Sequence, residues 1–411
     1  MTGTFAVDWR RSAFEAPRTQ VNPGAVSTYN ELWMSARLAA LSSALASISG
    51  PPLLVKLNPD AQRTDIVTGS MKRAGVRKVA LHLSGDTAPP PQFSSHAMRL
   101  LPALLLLLVT ACTHAPAKPA PALTPGEHEQ VLNGVRLYYR VAGEGAPGQP
   151  PVLFLHGGPG YNSYSFSKLA GVRLEKSARM VYLDQRGSGR SERPWTRDYA
   201  LSTLVQDLEA LRHALGAPRW VLMGHSFGGT LALEYTARHP EAVAGLVVVD
   251  GMSDAQGSYA GWVQTLEQWH PGRLAQAPEQ GSDFTRVMAA LQGQDVQAFF
   301  DRMQWRDPGK HMPMAQLDAQ SGLRNTGELA GALFGGELLH YRFATPERIR
   351  VPTLVIVGSH DRAIGPQTAR ALAGALPNAT LREYEDSGHF PYVEEPERFE
   401  RDVTEFLSRL R

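Results

Sequence analysis

The chain has 411 residues, 43% of them apolar and 19% charged, the balance of an ordinary globular protein. A formal charge of +2 with no basic run gives no reason to expect nucleic acid as a partner. The one cysteine, Cys112, excludes an intramolecular disulfide, and the absence of HExxH or CxxC spacing argues against a metal.

Residues 1–97 carry scattered arginines, proline breaks and one mildly helical piece, "MSARLAALSSALASISG" (34–50). Then comes "MRLLPALLLLLVTAC" (98–112): a basic residue, an apolar stretch and small residues before a cleavage point, the layout of a secretory signal peptide. Leu100 to Val109 is half the roughly 20 apolar residues a spanning helix needs. The ending Val109-Thr110-Ala111-Cys112 resembles a bacterial lipobox, which implies cleavage after 98–111 and acylation of Cys112. A leader must lie near the N-terminus to be used, so translation is expected from Met98, with 1–97 a spurious or disordered extension. Residues 112–125, rich in Pro and Ala, read as an extended tether. The expected product is lipid-anchored on the periplasmic side of a bacterial envelope, at the outer membrane rather than the inner because Thr113, not Asp, follows the cysteine. Without the leader it would be cytoplasmic.

From Gly126 the pattern changes. Two strand-like runs flank Asn133-Gly134, a type I′ hairpin signal. Short apolar strands follow at "PVLFL" (151–155), "MVYLD" (180–184), "WVLMG" (220–224), "GLVVVD" (245–250), "TLVIVG" (353–358) and "TLREY" (380–384). Most of these runs are β-branched and lack a polar alternate face, which suits a parallel sheet covered on both sides. Helices are expected at 202–215, with Ser202 as N-cap, and at 396–410, with Pro396 in the first turn. Between 252 and 345 the alternation pauses for helical pieces such as "DVQAFFDRMQW" (295–305). The expected architecture is one α/β core, 126–251 and 346–411, with a mainly helical cap at 252–345.

"GHSFGG" (224–229) places Gly224-x-Ser226-x-Gly228 between a strand and a helix, the context of a nucleophile elbow. Ser226 needs a base, and His389 in "EDSGHFPYVEEP" follows the last strand. His225, adjacent to the nucleophile, points elsewhere and reads as a packed neighbour. The carboxylate that orients the base is expected just past "TLVIV" at Asp361, with Asp250 at the end of "LVVVD" as the alternative. "HGGPG" (156–160) can present N–H groups to a cleft, so Gly158 and the N–H of Phe227 are assigned to an oxyanion hole, worth about 3–4 kcal/mol per donor. In "DQRGSGRS" (184–191), Asp184 and Arg186 read as braces for loops.

Together "HGGPG", "DQRGSGRS", "GHSFGG", "VPTLVIVGSHD" and "SGHF" resemble the α/β-hydrolase superfamily, and more narrowly its proline iminopeptidase branch. The resemblance runs from about Glu127 to Arg411. It implies a Ser226–Asp361–His389 triad, release of an N-terminal proline or another small residue through an acyl-enzyme, and no cofactor. That branch usually reads Gly-Gly-Ser before an aromatic, whereas His225 precedes Ser226 here, a form shared with general esterases and amidases. The branch also anchors the substrate's free amine on lid glutamates. Glu267 in "WVQTLEQW" stands near the expected place, with a solvated helix face as its other reading. The expected partner is thus a small peptide or acyl substrate, beside the membrane itself. The alternatives are an esterase or lactonase on small acyl substrates and a catalytically silent binding lipoprotein.

Overall fold

The computed structural model describes residues 123–410. The extension 1–97, the leader, Cys112 and all of the tether but its last three residues lie outside the described residues. No described helix is long and apolar enough to cross a membrane.

Asn133 and Gly134, at φ of 46° and 78°, form the tight turn joining β1 (Gly126–Leu132) to β2 (Val135–Ala142). Positive φ at both positions is what a type I′ turn demands. These two strands form the antiparallel margin of an eight-stranded sheet. The parallel part consists of β3 (Val152–Leu155), β4 (Met180–Leu183), β5 (Trp220–His225), β6 (Val243–Val249), β7 (Thr353–Gly358) and β8 (Ala379–Tyr384). The spatial order is β1-β2-β4-β3-β5-β6-β7-β8.

Successive side chains of the central strands point to opposite faces, and both faces are covered. Leu153, Leu155, Leu222, Leu246 and Val248 pack on one side with α1 (Leu201–Ala214) and α2 (Phe227–Arg238). Phe154, Val221, Met223, Val247 and Val249 pack on the other with the helical run 164–174 and the C-terminal helix Pro396–Ser408. A polar alternate residue would have no water to face, which is why these strands are apolar throughout. Each such side chain contributes about 1.5–3 kcal/mol by leaving water.

α1 starts one residue earlier than expected, and Ser202 does not cap it. Its N-cap is Ala200, and the orphan N–H of Leu201 donates instead to Glu337 Oε2 at 2.7 Å. A carboxylate from the insertion thus does the work of a local cap.

Between β6 and β7 the chain forms α3 (Ala255–Trp269), α4 (Asp283–Ala290), α5 (Val296–Gln304), α6 (His311–Ser321) and α7 (Glu328–Phe334). The insertion is closed at its neck. Asp254 and Arg342 form an antiparallel bridge with an ion pair at 2.7 Å, and Phe343 N donates to Ser253 O. After β7 come α8 (Pro366–Ala375), β8 and α9 (Pro396–Ser408), whose Pro sits in the first turn as the sequence implied.

Candidate active site

Ser226 lies at the turn from β5 into α2, with φ 56° and ψ −121°. A non-glycine residue in that region stores roughly 1–3 kcal/mol, so its surroundings must hold it. They do: Ser226 N donates to Val249 O at 3.0 Å, while Ser226 O accepts from Gly229 N at 2.9 Å and Met252 N at 3.1 Å. The flanking glycines are steric requirements. A Cβ on Gly224 would lie 2.2 Å from Gly228 O, and one on Gly228 would lie 2.0 Å from Leu155 O.

His389 sits in the loop after β8, where it is buried. Its Nδ1 is 2.9 Å from Asp361 Oδ2. A carboxylate only accepts, so the proton lies on Nδ1 and Nε2 is left with the lone pair. The other oxygen of Asp361 accepts from Ala363 N at 2.8 Å and Ile364 N at 3.1 Å. Burial alone would raise the Asp361 pKa. Electrostatic attraction to the His389 N–H and the hydrogen bond from it, joined by further donors, outweigh it and hold the carboxyl below its ordinary range.

Ser226, His225, His389 and Gly158 share one cavity of about 90 Å³. Its remaining wall is mostly apolar, with Trp262, Phe284, Phe300, Phe334 and Phe390. The cap helices supply four of those five rings, so the insertion shapes the cavity over the serine. Phe227 buries its ring in the core, and its N–H is among the first of α2, a helix end whose donors have no partner within the helix. Gly158 has φ 116° and borders the cavity beside Ser226.

The expected residues are thus brought together, with two corrections. Glu267 does not reach the cavity. It is exposed on α3, and its carboxylate accepts from Gly272 N at 2.8 Å, closing the turn after the helix. The helical register that puts Trp262 and Leu266 inward turns Glu267 to solvent. Asp250, the alternative to Asp361, does not take the bond to His389 Nδ1, which Asp361 holds. It is fully buried, and its Oδ1 accepts from Gly358 N at 2.9 Å.

The remaining motifs act as braces. Asp184 accepts from Ser163 and Arg190, and Arg186 pairs with Asp207 in a buried bridge. His156 accepts from Gln185 N through Nε2, tying "HGGPG" to the neighbouring loop. Sequence reasoning missed the contribution of His225, whose Nε2 is 2.8 Å from His389 O, and of Gln304, whose carbonyl takes the His389 N–H. It also missed Tyr161, which borders the cavity and hydrogen-bonds Asp318 of α6. Only its place after "HGGPG" could have drawn attention to Tyr161; Asp318 gave no signal. Among the described residues, Asp250, Asp361 and His389 are the one group of three or more His, Cys, Asp or Glu side chains close enough to share a metal ion.

A family model for the alpha/beta hydrolase fold matches residues 150–396. The chain is 28% identical over 284 residues to a proline iminopeptidase of Heyndrickxia coagulans, covering 64% of this chain and 92% of that one. It is 32% identical over 278 residues to the proline iminopeptidase of Neisseria meningitidis serogroup B, covering 62% and 86%. Among solved structures, a proline iminopeptidase-related protein of Thermus thermophilus superposes with a TM-score of 0.60 at 27% identity, covering 70% of this chain and 98% of that one.

Proposed function

Because the chain belongs to the α/β-hydrolase family, we propose that it is a serine hydrolase that breaks an amide or ester bond through an acyl-enzyme at Ser226. The observation that carries this reading is a buried His389, hydrogen-bonded to Asp361, that borders the same cavity as a conformationally strained serine. Ser226 Oγ attacks the carbonyl carbon and its proton passes to His389 Nε2. Asp361 holds the imidazole in the tautomer that can accept, and stabilises the imidazolium. The N–H groups of Gly158 and Phe227 receive the charge that develops on the carbonyl oxygen. His389 then gives its proton to the departing amine or alcohol, and water, deprotonated by the same ring, releases the acid.

The acyl group this cavity suits is small and apolar. Five aromatic rings offer a pyrrolidine or short alkyl chain a dry surface. With relatives named proline iminopeptidase at 28% and 32% identity, release of an N-terminal proline or a similar residue is the first reading. An esterase is the second, and a specific observation favours it: no Asp or Glu is among the residues bordering the cavity, and Glu267 is turned away. A free ammonium would have to find its counter-charge elsewhere.

The test is hydrolysis of prolyl-, alanyl- and N-acetylprolyl-p-nitroanilide and of p-nitrophenyl butyrate by the full chain, each beside Ser226→Ala. Cleavage of the free-amine anilides but not the acetylated one supports the aminopeptidase. Cleavage of the ester alone makes it an esterase, and activity that survives Ser226→Ala refutes the mechanism. The proposal extends to location: acylated Cys112 would anchor the enzyme at the periplasmic face of the outer membrane. Cys112→Ser should then move the protein from the membrane fraction to the soluble one, and an unchanged distribution would remove the anchor.

A further inference from the structure

Asp250 closes β6, and Asp361 follows β7, the next strand of the sheet. Both are buried to within 1% of complete exclusion from solvent. Oxygen and nitrogen atoms of Asp250, Asp361 and His389 all lie within 4.8 Å of one another. Two carboxylates at that distance in a dry site, with one imidazole beside them, cannot both keep a charge.

Their hydrogen bonds decide which one ionises. Asp361 receives three donors: Ala363 N and Ile364 N on Oδ1, and His389 Nδ1 on Oδ2. Asp250 receives one, Gly358 N on Oδ1, and no N–H or O–H of the described residues reaches its Oδ2. An anion is favoured where donors converge, and a proton where an oxygen is left without one.

We infer that Asp250 is a positioning residue for the catalytic carboxylate: its carboxyl stays protonated, and its Oδ2–H donates to Asp361. The orphan oxygen thereby gains a partner and the charge of Asp361 gains a fourth donor. With that added bond the Asp361 carboxylate has less freedom to turn, so its lone pair stays aimed at Nδ1. Burial first, and the Asp361 charge second, hold Asp250 well above the ordinary carboxylate range, in the same direction. Asp250 itself is pinned by a backbone φ of 42° at the strand end, as Ser226 is on β5. The other titratable group facing it is Glu394 of the short helix Pro391–Glu394, also acidic, which makes ionisation of Asp250 harder still.

The inference rests on the serine-hydrolase reading, and a substrate-independent assay separates the two. The second-order rate at which a fluorophosphonate labels Ser226 of the full chain is measured from about pH 5 to about pH 9. Wild type is compared with Asp250→Asn, Asp250→Leu and Ser226→Ala, and the low-field proton resonance of His389 Nδ1 is recorded by NMR. Asp250→Asn replaces one neutral donor by another, so it should keep most of the rate and leave the acid limb of the profile where it was. Asp250→Leu removes the donor. It should slow labelling about 10- to 100-fold, the range for a hydrogen bond to a charged group, and displace the Nδ1 proton resonance.

An acid limb moved by Asp250→Asn would show that a charge had been removed, and would overturn the inference. So would an Asp250→Leu protein that labels as fast as wild type with the Nδ1 resonance unmoved. Loss of labelling after EDTA dialysis, restored by a divalent metal, would assign the site to a cation instead and also overturn it. If Asp250→Leu does not fold, the acid limb of Asp250→Asn still decides. Wild type that takes no label at Ser226 would overturn the serine-hydrolase reading itself, and the inference with it.

Discussion

The imidazole of His225 donates from Nε2 to the backbone carbonyl oxygen of His389, 2.8 Å away, with the two rings 4.7 Å apart. A carbonyl can only accept, so the His225 proton is on Nε2. Burial, followed by repulsion from His389, pushes His225 down to about 3. It is therefore a neutral donor throughout the range in which a hydrolase works. The residue immediately before the nucleophile holds the loop that carries the base.

Replacing that donor should loosen His389 without touching the reacting atoms. His225→Ala is expected to slow hydrolysis about tenfold and to lose about 1–3 kcal/mol of stability, the cost of an unmade buried hydrogen bond plus a cavity. His225→Gln, which can place an N–H near the same point, should recover part of both. Steady-state kinetics and denaturant unfolding of the three proteins check this; equal losses in Ala and Gln variants would argue that only ring packing matters.

Arg186 and Asp207 form the other buried arrangement with a large expected effect. Both side chains are 3% exposed, with contacts at 2.5 and 2.7 Å, and Asn133 adds a bond to the carboxylate at 3.0 Å. Arg186→Ala would strand a buried carboxylate, so a loss of about 3–5 kcal/mol is expected. The double variant Arg186→Met with Asp207→Leu should be less destabilised than Arg186→Ala alone, because no uncompensated charge remains. Urea midpoints read the comparison directly.

Much of this molecule was legible from local chemistry. Asn133-Gly134 fixes its turn because few other pairs accept two positive φ values, and "GHSFGG" between strand and helix fixes the elbow because Gly224 and Gly228 have no room for a Cβ. The apolar strands read as a parallel sheet because both of its faces are covered. The misreadings come from distant partners and from helix register. Ser202 looked like a cap, but Leu201 finds its acceptor on Glu337, 136 positions away. Glu267 looked like an anchor, but helix register turns it outward. Asp250 was read as an alternative to Asp361, whereas the two stand together. The aromatic wall of the cavity is assembled from four cap helices and one core loop, and no spacing in the chain announces that convergence.

The cap also meets the segment after the glycine-rich loop through a bond between the Tyr161 hydroxyl and the Asp318 carboxylate, with Ser165 Oγ 2.8 Å from the same hydroxyl. Burial raises the Asp318 carboxyl to about 6, against the lowering effect of Tyr161. An unfolded aspartate titrates near 3.8. Between those values the folded protein binds a proton that the unfolded chain does not. Stability linked to this group is therefore fully present below about pH 3.8 and is lost as pH rises through about 6. Asp318→Asn removes the titration, so its advantage over wild type should grow from near zero at about pH 4 to about 1–2 kcal/mol at about pH 7, once screening of a partly exposed carboxyl is allowed for. The side-chain amide can still accept from Tyr161, so the link to the cap survives the substitution. Unfolding free energies of both proteins across that range, taken by urea titration, are the measurement; parallel curves would mean that Asp318 titrates alike in the folded and unfolded chain.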